Sequence, residues 1–306
     1  KTERLVNVAR MYYEQDRTQS EIADRYGISR PMVSKLLKEA RDRGIVTIRI
    51  NAPKGESGGT PSLMELVGRC FGIYDGVAVP GGPNDQTTNE AVAEAAISYL
   101  SELGGASLGI GWGHIIGDVV KHMEQKAKLV PIGTFVCPLI GNGGVGLKNY
   151  HSNELVRSIA EHSGAQPRFI YSPACVLSEQ ELKLTRELDS YHEIYHVWEK
   201  LDVALVNIGN FPSVPDFASE ARYGDLLIRQ KAVGRILNYF MDSQGHIIRS
   251  DTDYAIQIPL ELLTRTRHVV GICSANTSPK AFRAALKTGY LKHFIAPEHV
   301  VREALE

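Results

Sequence analysis

The sequence predicts an α/β protein in two unlike parts: an N-terminal winged helix-turn-helix domain, then a larger α/β domain built round a mostly parallel sheet. Three observations carry this prediction. From Glu3 to Arg43 apolar residues recur with helical period alone. Beyond residue 62, short apolar runs alternate with helical patterns of about 10 to 15 residues, the signature of parallel strands joined by helices. Between the two, Asn51 to Ser62 holds Pro53, Gly55, Gly58, Gly59 and Pro61 and no apolar period, which marks a linker. A length of 306 residues suits about two domains, and the chain divides into residues 1–52, a linker at 53–62 and a body at 63–306.

In the first part, Leu5, Val8, Ala9 and Tyr12 form one apolar stripe, Ile22, Ala23 and Tyr26 a second, and Val33, Leu36, Leu37 and Ala40 a third, giving three short helices. Thr18 with Glu21 three residues later reads as a capping box opening the second helix, and Gly27 ends it. Ser29 suits the N-cap of the third, which Gly44 closes. The alternating run Ile45 to Ile50 then reads as a strand, part of a wing. In the body, Gly76–Val79, Ser107–Ile110, Gly133–Leu139, Arg168–Tyr171, Val203–Ile208 and His268–Cys273 read as strands. The helices between them include Asn89–Leu103, Ile115–Gln125, Asn153–His162 and Pro279–Lys287. Ligands of such sheets bind at the carboxyl ends of the strands.

The net charge of -1 excludes a histone-like polycation and an acidic disordered tail. It conceals a dipole. The first fifty residues carry 11 basic and 7 acidic side chains, a net of +4, and the remainder carry 23 and 28, a net of -5. Such asymmetry points to nucleic-acid contact by the basic part. Cys70, Cys137, Cys175 and Cys273 lie far apart with no C-x-x-C pair, so they read as free thiols of a cytosolic protein. No apolar run approaches the ~18 residues of a membrane span, and the N-terminus is unlike a signal peptide, so a soluble cytoplasmic protein is expected. No period of about 20 to 50 residues suggests a solenoid.

The helix-turn-helix register is met at every position that matters. Counting from Gln19 as first, Ala23 falls fifth, Gly27 ninth, Val33 fifteenth and Leu36 eighteenth. Ala23 lets the helices approach, Gly27 takes the positive φ of the turn, and Val33 with Leu36 seals the pair onto the first helix. The opposite face of the third helix carries Arg30, Ser34, Lys35, Lys38 and Arg41. Arg30 and Ser34, near the helix start, are candidates for base edges, while Lys35, Lys38, Gln19 and Ser20 suit phosphates. One such head makes too few contacts for a specific site, so a homo-oligomer on repeated half-sites is expected.

Three segments of the body are candidates for ligand chemistry. Gly109-Ile110-Gly111-Trp112-Gly113 leads from a strand into a helix, where backbone N–H groups could face an anion. Gly141-Asn142-Gly143-Gly144-Val145-Gly146 matches G-x-G-x-x-G, but no helix opens directly after it and no acidic residue ends the following strand, so no dinucleotide cofactor is expected. His192-Glu193-Ile194-Tyr195-His196 matches the H-E-x-x-H zinc-protease helix. No third ligand stands at a family spacing, and Tyr191, Ile194, Tyr195 and Trp198 make the same helix a packing surface, so no metal is expected.

The stretch YYEQDRTQSEIADRYGISRPMVSKLLKEARDRGIVTIRI resembles the head of the SorC family of sugar-responsive bacterial transcriptional regulators. LGIGWGHIIGDVV, LIGNGGVG, LDVALVNIGNFP, AVGRILNYFMDSQGHII and IPLELLTRTRHVVGICSANTSPKAFRAAL resemble successive blocks of that family's effector domain, in the same order. The resemblance implies an effector domain with the fold shared by sugar-phosphate isomerases and CoA transferases, a sugar or sugar phosphate as effector, and a tetramer. It further implies that the Gly111-Trp112-Gly113 loop and the Asn142-Gly143-Gly144 loop surround the effector, with Asp242 and Lys280 approaching from later strands. Many members carry Ser or Thr after the G-W-G-like loop, where a hydroxyl can hold phosphate; this chain has His114-Ile115-Ile116. The effector is then an unphosphorylated sugar or polyol, or its phosphate is held by His114 and backbone alone. Asn142 stands where some relatives have a lysine able to form a Schiff base, so no covalent aldehyde adduct is expected there.

The function expected is that of a sequence-specific regulator of a carbohydrate-utilisation operon, its DNA binding controlled by the effector. The competing class is a sugar-phosphate isomerase or deaminase fused to a DNA-binding head. It requires a positioned acid/base set, and no carboxylate-histidine cluster converges on the glycine loops.

Overall fold

A computed structural model describes residues 2–15, 17–42, 45–46, 61–126, 129–144, 146–213 and 223–306. They fall into two compact units, Lys1–Thr60 and Pro61–Glu306.

The first unit holds α1 (Thr2–Tyr13), α2 (Gln19–Tyr26) and α3 (Arg30–Asp42). Thr18 caps α2: its hydroxyl accepts from the Glu21 N–H, and the Glu21 carboxylate accepts from the Thr18 N–H at 2.8 Å. That second bond holds the Glu21 carboxyl below its usual range. Gly27 ends the helix at φ 60°, a left-handed conformation open to glycine. Val8, Met11, Ile22, Ala23, Val33 and Leu37 form the core of the unit. Leu36 is only partly buried against it, so the inward stripe of α3 runs through Leu37 rather than Leu36. Most of the expected wing strand, residues 47–50, lies outside the described residues, as do Gly44 and positions 51–60 of the linker.

The second unit opens on α4 (Leu63–Phe71), capped by Ser62 and Glu65. Its parallel path runs β1–β9–β8–β5–β2–β3–β4, with β1 Gly76–Val79, β2 Leu108–Ile110, β3 Phe135–Pro138, β4 Gln166–Pro167, β5 Val203–Asn210, β8 His268–Ile272 and β9 His293–Pro297. Two short strands, β6 (Gly234–Ile236) and β7 (Tyr239–Met241), extend the carboxyl end of β5 in antiparallel fashion. Successive strand residues point to opposite faces, and Val203 to Ile208 are all buried, so helices must cover the sheet on both sides. Two groups of helices do this. The first stacks α5 (Asp85–Leu103) on α6 (His114–Glu124) and α6 on α7 (Ser152–Ser163). The second packs α12 (Pro279–Lys287) on α13 (Glu298–Leu305) and α13 on α4. The remaining α-helices among the described residues are α8 (Glu179–Glu187), α9 (Asp189–Trp198), α10 (Leu226–Arg229) and α11 (Leu260–Arg265). No helix among the described residues is long and apolar enough to cross a membrane.

The expected strand Arg168–Tyr171 is absent. Arg168 N–H still donates to Val136 O, but from Ile170 onward asparagine side chains replace the ladder. Asn153 Oδ1 accepts from Ile170 N–H, and the amides of Asn153 and Asn142 both donate to Ile170 O. Side chains that satisfy backbone groups locally free the chain from the sheet. Conversely, β9 was not expected, although His293 to Pro297 is wholly buried.

Trp198 locks α9 to the sheet: it is buried, packs against Tyr191 and Tyr195, and donates from Nε1 to Pro138 O at 2.8 Å. Trp198→Ala is expected to lower the unfolding free energy by about 3–5 kcal/mol in denaturant titration, a cavity plus an orphaned carbonyl. A loss under about 1 kcal/mol would contradict this packing.

Candidate functional site

The head offers a DNA-reading face. α3 buries Val33, Leu37 and Ala40 against α1 and α2, which turns Arg30, Ser34, Lys35 and Lys38 to solvent, all exposed. At the start of α2, Ser20 is exposed and Gln19 half-buried. The helix-turn-helix geometry thus brings the six expected residues onto the two helix starts and the outer face of α3; the Arg41 side chain lies outside the described ones.

In the body a cavity of about 800 Å³ opens at the carboxyl ends of β2, β5 and β8, within the range of small-molecule sites. Its architecture begins at the turn from β2 to α6. Gly111 donates to Leu205 O at 2.8 Å, and a Cβ there would lie 2.8 Å from a Leu237 methyl. Gly113 sits at φ 109°, where side chains are strained, and lets α6 start beside β5. The first N–H groups of an α-helix have no partner within it, and Gly113 has no side chain to cap them. Gly113, His114 and Ile115 border the cavity there.

Polar side chains line the rest. Asn207, near the end of β5, is 6% exposed, and its carboxamide has no hydrogen-bond partner among the described residues, an arrangement that costs about 1–3 kcal/mol unless a ligand or water meets it. Asp118, one turn beyond His114, is half-buried; burial raises its carboxyl pKa, Lys121 and His114 oppose that, and Glu90 adds to it. Asn89 accepts from Ala275 N–H at 2.7 Å and so ties α5 to the loop after β8. Asn210 does the same, accepting from Ser278 N–H at 2.7 Å and donating to Asn276 O at 3.0 Å. Arg235, buried in the cavity wall, donates to Leu237 O and Asn238 Oδ1. Tyr150 stands edge-on between Trp112 and His114, its ring centroid 5.6 Å from each.

Of the effector residues expected from the sequence, the cavity gathers Gly113 and His114, with Gly111 behind them. Trp112 is fully buried beneath Tyr150 and supports the wall. The Asn142-Gly143-Gly144 loop does not line the cavity. Asn142 N–H donates to Ser172 O and Gly143 N–H to Tyr150 O, while Asn142 Oδ1 accepts from Asn153 N–H, so these groups are spent on the protein. Gly144 is exposed. Asp242 stands in a turn outside the cavity lining: its oxygens accept from Gln244 N–H at 2.8 Å and His246 N–H at 3.0 Å and meet His246 Nδ1 at 3.1 Å. Burial opposes ionisation there, yet these bonds hold its carboxyl below the usual range. Lys280 is an exposed residue in the first turn of α12, also outside the cavity lining. Sequence reasoning passed over Asn207 and Asp118. The signal for Asn207 was present: one amide interrupts the apolar run Val203 to Ile208 at the end of a strand where ligands bind.

The H-E-x-x-H segment lies in α9 with His192, Glu193 and His196 exposed, and His196 Nδ1 contacts Glu199 at 2.8 Å. Ile194 and Trp198 are buried on its inner face. No group of three or more His, Cys, Asp or Glu side chains among the described residues is placed to hold a metal.

Comparison with known proteins matches both parts of the chain. The profile of the sugar-binding domain family (Sugar-bind) matches residues 59–306, and that of sigma-70 region 4 matches residues 2–43. The chain is 30% identical to the sorbitol operon regulator of Klebsiella pneumoniae, over 94% of this chain and 92% of the relative. It is 26% identical to the deoxyribonucleoside regulator of Bacillus subtilis (strain 168), over 97% and 95% of the two chains. The crystal structure of the full-length sorbitol operon regulator SorC from Klebsiella pneumoniae matches 99% of this chain and 98% of its own, with a TM-score of 0.69 at 27% identity. These relatives are regulators of transcription and not enzymes. With a helix-turn-helix head and a sugar-binding body, this chain is a transcriptional regulator and belongs to the SorC family.

Proposed function

We propose that this regulator controls a carbohydrate-utilisation operon in the cytoplasm, reading operator DNA with residues 1–52 and binding a sugar or sugar phosphate in the body, residues 63–306. The observation that carries it is the cavity at the carboxyl ends of β2, β5 and β8: its lining is dominated by amides, hydroxyls and charged groups, the donors and acceptors that hydroxylated ligands match. Arg30 and Ser34 reach base edges, and Gln19, Ser20, Lys35 and Lys38 hold phosphates. Gly113 and His114 contact the effector directly; Gly111 and Trp112 shape the wall behind them.

The working assembly is a homo-oligomer, a dimer of dimers. Leu177, Leu184 and Leu188 are all exposed on and beside α8, which supports a face for a second copy. Repeated heads give the summed phosphate contacts that a single head lacks.

On duplex DNA carrying the operator, Lys38→Ala is expected to weaken binding to all sequences alike and to reduce the slope of log K against log salt by about one, whereas Arg30→Ala relaxes base preference at one position. Fluorescence anisotropy at several salt concentrations checks both, and an unchanged slope for Lys38→Ala would remove it from the phosphate contacts. For the body, calorimetry with a sugar and its phosphate ester separates two ways of binding. If phosphate is held at the α6 start, His114→Ala removes the advantage of the ester; if the effector is unphosphorylated, the ester has no advantage to lose.

A further inference from the structure

We propose that Asp118 and Asn207 form a hydroxyl-reading pair, and that the part of the effector lying between α6 and the end of β5 is an uncharged polyol stretch and never a phosphate. The proposal rests on the reading of this cavity as the effector site.

Both side chains line the cavity and both lack a protein partner among the described residues. Asn207 is nine-tenths buried; its Oδ1 meets no donor, and its Nδ2 lies 3.4 Å from where a Cβ on Gly113 would stand, at the mouth of the α6 turn. The other amides of the wall differ. Asn210 is saturated by Ser278 and Asn276, and the Asn89 carbonyl is taken by Ala275 N–H. Among the described residues Asp118 makes no hydrogen bond or ion pair, although other acidic groups nearby are engaged: Glu94 pairs with Lys126 and His122, and Glu124 with Lys148.

A carboxamide presents a donor and an acceptor side by side, and a carboxylate presents acceptors only. A hydroxyl is itself donor and acceptor, so the hydroxyls of a polyol seated in this cavity suit both side chains. A phosphate dianion has only acceptors and would meet the Asp118 charge, with Glu90 close behind it, in a partly desolvated wall. Any phosphate the effector carries is therefore directed away from this pair.

The pair also sets a pH response. Ligand hydroxyls donate to the ionised carboxylate, so binding favours that form, and affinity falls as pH drops toward the raised pKa of Asp118 in the free protein. Lys121 and His114 on α6 and Glu90 on α5 act on that carboxyl, and His122 and Arg235 share the wall, so Asp118 is isolated by comparing profiles with and without it.

Calorimetry on the full chain with ribitol, glucitol, glucose and their terminal phosphate esters tests the pair. At least one probe is expected to bind, and Asp118→Asn and Asn207→Ala are each expected to weaken it at least tenfold, about 1.4 kcal/mol. Asp118→Asn is also expected to flatten the loss of affinity on acidification. Asp118 is half-exposed, so Asp118→Asn carries the test should Asn207→Ala fail to fold. Wild-type affinity in the folded variants, an unchanged acid profile in Asp118→Asn, or no binding by any probe overturns the proposal. Asn276→Trp, which fills the cavity from an exposed position, separates the two layers of inference. If it abolishes binding that Asp118→Asn leaves intact, the cavity remains the effector site and only the pair falls; if it too leaves binding intact, the cavity assignment falls as well.

Discussion

The cavity of the body depends on one backbone constraint, the turn from β2 into α6. Gly111 gives its N–H to Leu205 O and keeps the chain on β5, and Gly113, at φ 109°, lets the helix begin at once above the strand ends. A side chain at Gly111 would strike Leu237, and one at Gly113 would strain the backbone. The tightness of this turn leaves the first donors of α6 uncapped and sets Asn207 and Asp118 round the same hollow. Parallel sheets place their strand ends together, so the loops after β5 and β8 complete the wall from the other side.

The charge of the chain follows the same division of labour. The head, at +4, is built round a small apolar core that leaves the outer face of α3 to basic and hydroxyl side chains. The body, at -5, tends to be repelled by phosphodiester backbone, which leaves DNA contact to the head. Near-neutrality of the whole sequence is the sum of two parts with opposite tasks.

Much of this was legible in the residues because the deciding forces are local. Helical period and Thr18 with Glu21 announce the head, and Ala23, Gly27 and Val33 fix its register. Proline at the start of α12 and Lys287 at its end mark its bounds without tertiary information. What stayed hidden depends on distant partners. Residues 168–171 look like a strand until Asn142 and Asn153 take the backbone of Ile170, and neither asparagine announces that target. Gly141 to Gly144 resemble a ligand cradle, yet the Gly141, Asn142 and Gly143 N–H groups are satisfied by Ile256, Ser172 and Tyr150. Asp242 was chemically sensible for a sugar, and His246 and Gln244 claim it for a turn. Asp118 lies in an ordinary amphipathic helix, and only its lack of a partner in three dimensions sets it apart.

The central claim is that a hydroxylated ligand in the body and operator DNA on the heads bind one protein with a shared coupling energy. The most direct test measures four affinities of the full chain: DNA with and without saturating ligand, and ligand with and without saturating DNA. The two ratios are expected to be equal, as linkage demands, and to lie in the range of about 5–150-fold, or ~1–3 kcal/mol. A DNA affinity that does not change at saturating ligand would contradict the account.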